Sequence, residues 1–277
     1  LRFRPAQDTL WIAHVPPYPH SRVLRLLEAV RTAPCARVEV IGKSVQGREL
    51  HRVVVTNFAT PDAAKRTVWL QARQHAWEAP TSYVLEGALR FLVSDDPQAV
   101  ALRDRVVFHL MPTADPDGCA NGAVRFNALG YDLNRHWDEV DPRRPEFLER
   151  MPEIFYLKKA ILDCAAARGI DLLVNMHNTE TAEFLETHAD DPAVVARMKR
   201  LDDLLAAKTT FDRSAPVRTA AKPDSSTNAL WREARIPVVL MEQRISTSKK
   251  LGRRPTVADR LAFGRQLIAA MAEAVLP

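Results

Sequence analysis

Hydrophobic residues along this chain follow two spacings. Over residues 21–31, 82–92, 147–167, 192–208, 226–234 and 256–274 they recur at helical intervals, which predicts six helices. Between these windows lie short apolar runs at 38–41, 51–56, 67–72, 106–111, 171–176 and 238–242, which predict strands. Several runs are apolar at consecutive positions, as strands covered on both faces are. Strands alternating with helices predict an α/β fold, a three-layer α/β/α arrangement around a central mixed, mostly parallel twisted sheet. In such folds ligands collect beyond the carboxyl ends of the strands, so the residues just after each apolar run are the ones to read for chemistry.

Composition changes this picture little. A chain of 277 residues with 47% hydrophobic and 26% charged residues is ordinary for a globular protein. It predicts one catalytic domain over residues 1–277, with residues 1–35 as a lead-in segment and helix. The net charge of +5 is spread without a Lys/Arg block, so no nucleic-acid partner is expected. No apolar run reaches the roughly 18 residues of a membrane span, and residues 1–5 do not read as a signal peptide. The expectation is a soluble, cytoplasmic chain with no membrane partner; its first residue is leucine, which leaves an upstream domain open. Cys35, Cys119 and Cys164 lack metal-finger or paired spacing and are expected as buried apolar residues.

Chemistry enters at the strand ends. The run 67–72 leads into Arg73-Gln74-His75-Ala76-Trp77-Glu78, with His75 and Glu78 three apart in a strand-to-helix turn, close enough to converge on one ion. The run 171–176 ends at His177, which read alone fits a core or rim histidine equally well. Together the three make a His₂Glu set, the open arrangement that leaves zinc a fourth position. The run 238–242 ends in Glu242, either a solvated strand cap or, beside zinc, a carboxylate outside the ligand set that can move protons. Between them, residues 115–137 read as a long loop opened by the turn Asp115-Pro116-Asp117-Gly118. That loop carries Arg125, Asn134 and Arg135, cations and an amide suited to gripping a peptide's terminal carboxylate.

In order, these segments are HxxE at His75 and Glu78, DPDG leading to Arg125, DLNRHW at 132–137, His177 and Glu242. Over roughly residues 38–245 the pattern resembles the zinc metallocarboxypeptidases, the family of pancreatic carboxypeptidase A. Residues 12–18 (IAHVPPY) and 41–48 (IGKSVQGR) resemble its cytosolic-carboxypeptidase-like branch and bacterial relatives. The resemblance implies one zinc on His75, Glu78 and His177, with Glu242 as general base and acid. It implies Arg125 at the scissile carbonyl, Asn134 and Arg135 on the terminal carboxylate, Asp132 behind His75, and a peptide or protein C-terminus as substrate. Two departures stand out: alanine follows His75 where the family more often has proline, and no tyrosine lies between His177 and Glu242. Arg213, Arg218, Lys222 and Arg232 lie in the segment that lines the family's terminal-residue pocket, which predicts a preference for acidic terminal residues. The rival readings are a zinc deacylase of N-acyl amino acids and a catalytically silent binding domain that keeps the fold.

Overall fold

The computed structural model of the chain describes residues 2–10, 12–188 and 190–277. Among them, one eight-stranded sheet runs in the order β1-β2-β4-β3-β5-β8-β6-β7. Its strands are β1 (Ala36–Lys43), β2 (Glu49–Val55), β3 (Arg66–Gln71), β4 (Val106–Met111), β5 (Leu172–Thr179), β6 (Phe184–Thr187), β7 (Arg218–Thr219) and β8 (Val238–Arg244). The centre, β4-β3-β5-β8, is parallel. Antiparallel pairings attach β2 and β1 on one side and β6 on the other, and β7 closes the far edge parallel to β6.

The helices are α1 (His20–Arg31), α2 (Ala79–Leu92), α3 (Pro97–Arg105), α4 (Pro116–Asn121), α5 (Pro152–Arg168), α6 (Pro192–Lys208), α7 (Ser226–Ala234) and α8 (Val257–Val275). Two cores form because strand side chains alternate between faces. Val68 and Leu70 of β3 join the core shared with α1, α2, α6 and α8, whereas Trp69 between them joins the core under α5 and α7. The central strands are apolar throughout because both faces are covered; every residue of β4 is buried. Helices α2 and α8 touch backbone to backbone: a Cβ added at Gly264 would lie 1.9 Å from Val84 O, and one at Gly87 2.0 Å from Leu261 O. No described helix is long and apolar enough to cross a membrane.

Several sequence expectations need correction. The helix expected over 147–167 starts at Pro152, after a 3₁₀ turn at Pro145–Glu149, since proline suits a first helical turn and has no N–H to donate further in. The DPDG segment is not a surface turn. Asp115 caps α4, accepting from the Gly118 N–H at 2.8 Å, and all four residues are buried. Asp117 accepts from Ser44 Oγ (2.7 Å), the Gln46 N–H (2.8 Å) and Arg48 (2.8 Å), which ties α4 to the β1–β2 turn. Cys119 and Cys164 are buried, but Cys35 is only partly so.

Candidate active site

The site is built where β3, β5 and β8 end side by side. Beyond β3 the chain turns at Arg73, whose φ of 55° is left-handed, a conformation that strains a residue with a side chain. Its buried guanidinium holds the turn, donating to Tyr18 O (3.0 Å), Ser82 Oγ (3.3 Å) and Ala76 O, while its N–H donates to Thr81 Oγ1 (3.2 Å). The turn places His75 over the strand ends and leaves Glu78 as the N-cap residue of α2, with Pro80 in the helix's first turn. A carboxylate is favoured there by the helix dipole.

His177 comes from β5 and pairs in register with Glu242 on β8. His75 Nδ1 is 2.9 Å from Glu78 Oε1, and His177 Nδ1 is 3.2 Å from Glu78 Oε2. One ligand atom from each of the three lies within 4.8 Å of the others, and all three residues are buried. His75 Nε2 meets Asp132 Oδ1 at 3.1 Å, while Asp132 Oδ2 accepts from Arg125 Nε at 2.8 Å. Each ring nitrogen of His75 thus faces a carboxylate, which only accepts, so Nε2 carries a proton toward Asp132 and Nδ1 presents either a proton or a metal to Glu78. Two imidazoles with one carboxylate, converging in this way, are a donor set that suits zinc, which would replace the protons on the nitrogens facing Glu78.

The electrostatics agree. Burial disfavours a charged His75, but Asp132 and Glu78 outweigh it and hold the imidazole up at about 9. Burial would likewise raise Glu78, yet His177 and His75 bring it down to about 2. The cluster demands positive charge beside Glu78. Glu242 lacks such a partner: burial, reinforced by Glu78 and Glu186 and opposed by the two histidines, pushes it up to about 7. Its Oε2 is buried with no hydrogen-bond partner among the described residues.

These groups line a cleft of about 190 Å³ together with Arg125, Asn134 and Arg135. Asn134 Oδ1 accepts from the N–H (3.2 Å) and hydroxyl (3.1 Å) of Ser226, so its NH₂ is the group left for a ligand. Arg135 donates to Asn134 O at 2.7 Å. Of the four cations expected in a terminal-residue pocket, Lys222 lines this cleft. Arg213 pairs with Asp202 at 2.5 Å, and Arg232 hydrogen-bonds Pro223 O at 2.5 Å. Arg218 stacks 3.7 Å over the Phe184 ring beside Glu186, facing an outer groove. Sequence reading missed Gln74, Phe184 and Glu186. The first was a polar residue next to a ligand; the other two sit on a strand of four residues, too short to show alternation.

A family described as zinc carboxypeptidase matches residues 23–214. Human cytosolic carboxypeptidase 2 is 32% identical over 184 residues, covering 64% of this chain and 20% of that protein. An uncharacterised protein of Zymomonas mobilis is 30% identical over 181 residues, covering 65% of this chain and 43% of its own length. The chain thus spans less than half the length of these curated relatives. Among solved structures, the metallo-carboxypeptidase from Burkholderia cenocepacia superposes with a TM-score of 0.80 at 25% identity, over 94% of this chain and 70% of that one. With the profile covering residues 23–214 and the fold shared with solved carboxypeptidases, the chain belongs to the zinc carboxypeptidase family.

Proposed function

We propose that this chain is a metallocarboxypeptidase that removes C-terminal residues from peptides or proteins, with one zinc on His75, Glu78 and His177. The observation that carries the reading is the convergence of those three buried ligand groups within 4.8 Å, with the unpaired carboxylate of Glu242 on the adjoining strand. Bound there, zinc would supply Lewis acidity toward a water and the scissile carbonyl. Glu242 takes a proton from the attacking water and delivers it to the leaving amine nitrogen. A carboxyl held near neutrality by burial is matched to both halves of that transfer. Arg125, held by Asp132, donates to the carbonyl oxygen as it becomes negative. Arg135 and the Asn134 NH₂ bind the terminal carboxylate, which fixes the scissile bond over the metal.

The substrate's terminal side chain then faces Lys222, with Phe184 and Leu240 supplying apolar wall. We read this as favouring an acidic terminal residue, with burial disfavouring the charge on Glu186 despite the neighbouring Arg218. Cytosolic location is the reading that agrees with relatives named cytosolic carboxypeptidases. The experiment is metal analysis with a peptide pair: one zinc per chain, and cleavage of a free-acid peptide that is lost when its C-terminus is amidated. Equal cleavage of acid and amide, or cleavage of N-acyl amino acids alone, would replace this reading with a deacylase or another amidohydrolase.

A further inference from the structure

The hydrogen bonds around His177 have one consistent direction. Gln74 is completely buried beyond β3, and its amide meets three groups. Its Nε2 is 2.5 Å from Leu133 O, while its Oε1 is 2.7 Å from Asn175 Nδ2 and 3.1 Å from His177 Nε2. A backbone carbonyl only accepts, so the NH₂ must face Leu133, whose oxygen also takes the Trp137 indole N–H at 2.8 Å. Turning the amide over would set oxygen against oxygen there and NH₂ against the NH₂ of Asn175. Asn175 is itself held, because its NH₂ also donates to Ser226 Oγ at 3.1 Å, and Ser226 gives its own proton to Asn134 Oδ1. With Gln74 Oε1 fixed as an acceptor, the His177 nitrogen facing it carries the proton. A metal-bound imidazole keeps one N–H, so with that proton on Nε2 the lone pair offered to a metal would lie on Nδ1, the atom that approaches Glu78.

We propose that Gln74 is a positioning residue for the metal centre: anchored by the Leu133 carbonyl, it fixes the Nε2–H tautomer of His177 and so presents Nδ1 to zinc. The inference rests on the zinc reading above. It gives residues 132–134 a joint task. Asp132 orients one histidine directly, the carbonyl of the next residue orients the other through Gln74, and Asn134 closes the network through Ser226 and Asn175. The two imidazoles are held unequally, His75 against a carboxylate and His177 against a neutral amide. An apolar replacement of Gln74 would keep much of the volume but leave the His177 N–H unpaired and free both tautomers.

The test is zinc affinity by chelator competition, with ¹⁵N NMR of the histidine ring nitrogens. In zinc-loaded wild type, His177 should show the proton on Nε2 and the metal on Nδ1. Gln74→Leu, measured well below its melting temperature, should bind zinc about 10- to 100-fold more weakly, the range for loss of a group that orients a metal ligand. Metal on Nε2 of His177 in the wild type overturns the proposal even if the variant fails to fold, and wild-type affinity in a folded Gln74→Leu overturns it as well. Wild-type protein that takes up no zinc would instead remove the metal reading beneath it.

Discussion

Glu242 is a half-buried carboxyl group beside two imidazoles, and its proposed role can be separated from theirs by one atom. Glu242→Gln keeps the shape and removes the proton carrier, so zinc content should stay at the wild-type level while kcat falls by roughly 10² to 10⁴. Loss of metal in that variant would make Glu242 a ligand instead. Lys222 offers a second single-residue test. Lys222→Met should lower kcat/KM at least tenfold for a peptide ending in glutamate, since a charge-assisted hydrogen bond contributes about 1.5 to 3 kcal/mol. A leucine-terminated peptide should be little affected, and an equal loss on both would take Lys222 out of the pocket. Glu153 belongs to stability rather than chemistry. Burial raises its pKa from 4.5 to about 7, although the Val45 N–H and Asn127 donate to it. A raised carboxyl pKa means the folded state holds the extra proton, so this contribution is complete below pH ~4.5 and is lost as pH rises through ~7. Relative to wild type, Glu153→Gln should therefore gain about 2 to 3 kcal/mol of unfolding free energy between pH 4.5 and pH 8. Denaturant midpoints at the two pH values, unchanged relative to each other, would contradict this.

At the scale of elements, the turn from β3 into α2 carries the most consequence, because two of the three proposed zinc ligands, His75 and Glu78, hang from it. Its left-handed residue is an arginine whose guanidinium is tied to three neighbours. Removing that side chain should cost about 2 to 4 kcal/mol, as loss of a buried hydrogen-bonded cation does. The backbone should make Arg73→Gly more stable than Arg73→Ala by about 1 kcal/mol, the reverse of the order within a helix. Chemical denaturation of the pair reads this directly, and alanine equal to or better than glycine would show that the turn relaxes. The same turn shows what a sequence reveals and hides. The central strands were legible because burial on both faces writes an unbroken apolar run, and their ends led to His75, Glu78, His177 and Glu242. Helix α4 was hidden because Asp-Pro-Asp-Gly suits a turn and a capped first helical turn equally. Helix α3 was hidden because only Ala99 and Arg103 of it are buried, which leaves no apolar stripe to read. Gln74 could be read only once the Leu133 carbonyl lay opposite it, a contact between residues 59 apart in the chain.

In the whole molecule, two cores lie against opposite faces of one sheet and share its strands. We propose that residues 1–277 unfold as one unit, so tryptophan fluorescence and far-ultraviolet circular dichroism should report the same midpoint. Two separated midpoints would divide the chain. A ligand that binds only the folded state adds stability, about 4 kcal/mol at a thousandfold excess over Kd, so zinc should raise the midpoint and a chelator should lower it again. The backbone contact between α2 and α8 reaches further than packing. Because Glu78 sits at the start of α2, any side chain at Gly264 would push on the carbonyl of Val84 and shift the helix that carries this proposed zinc ligand. The damage would appear as lost metal, at a position that touches none. A mutational map scored for zinc retention should therefore mark Gly264, on a helix that contributes no ligand, alongside His75 and His177.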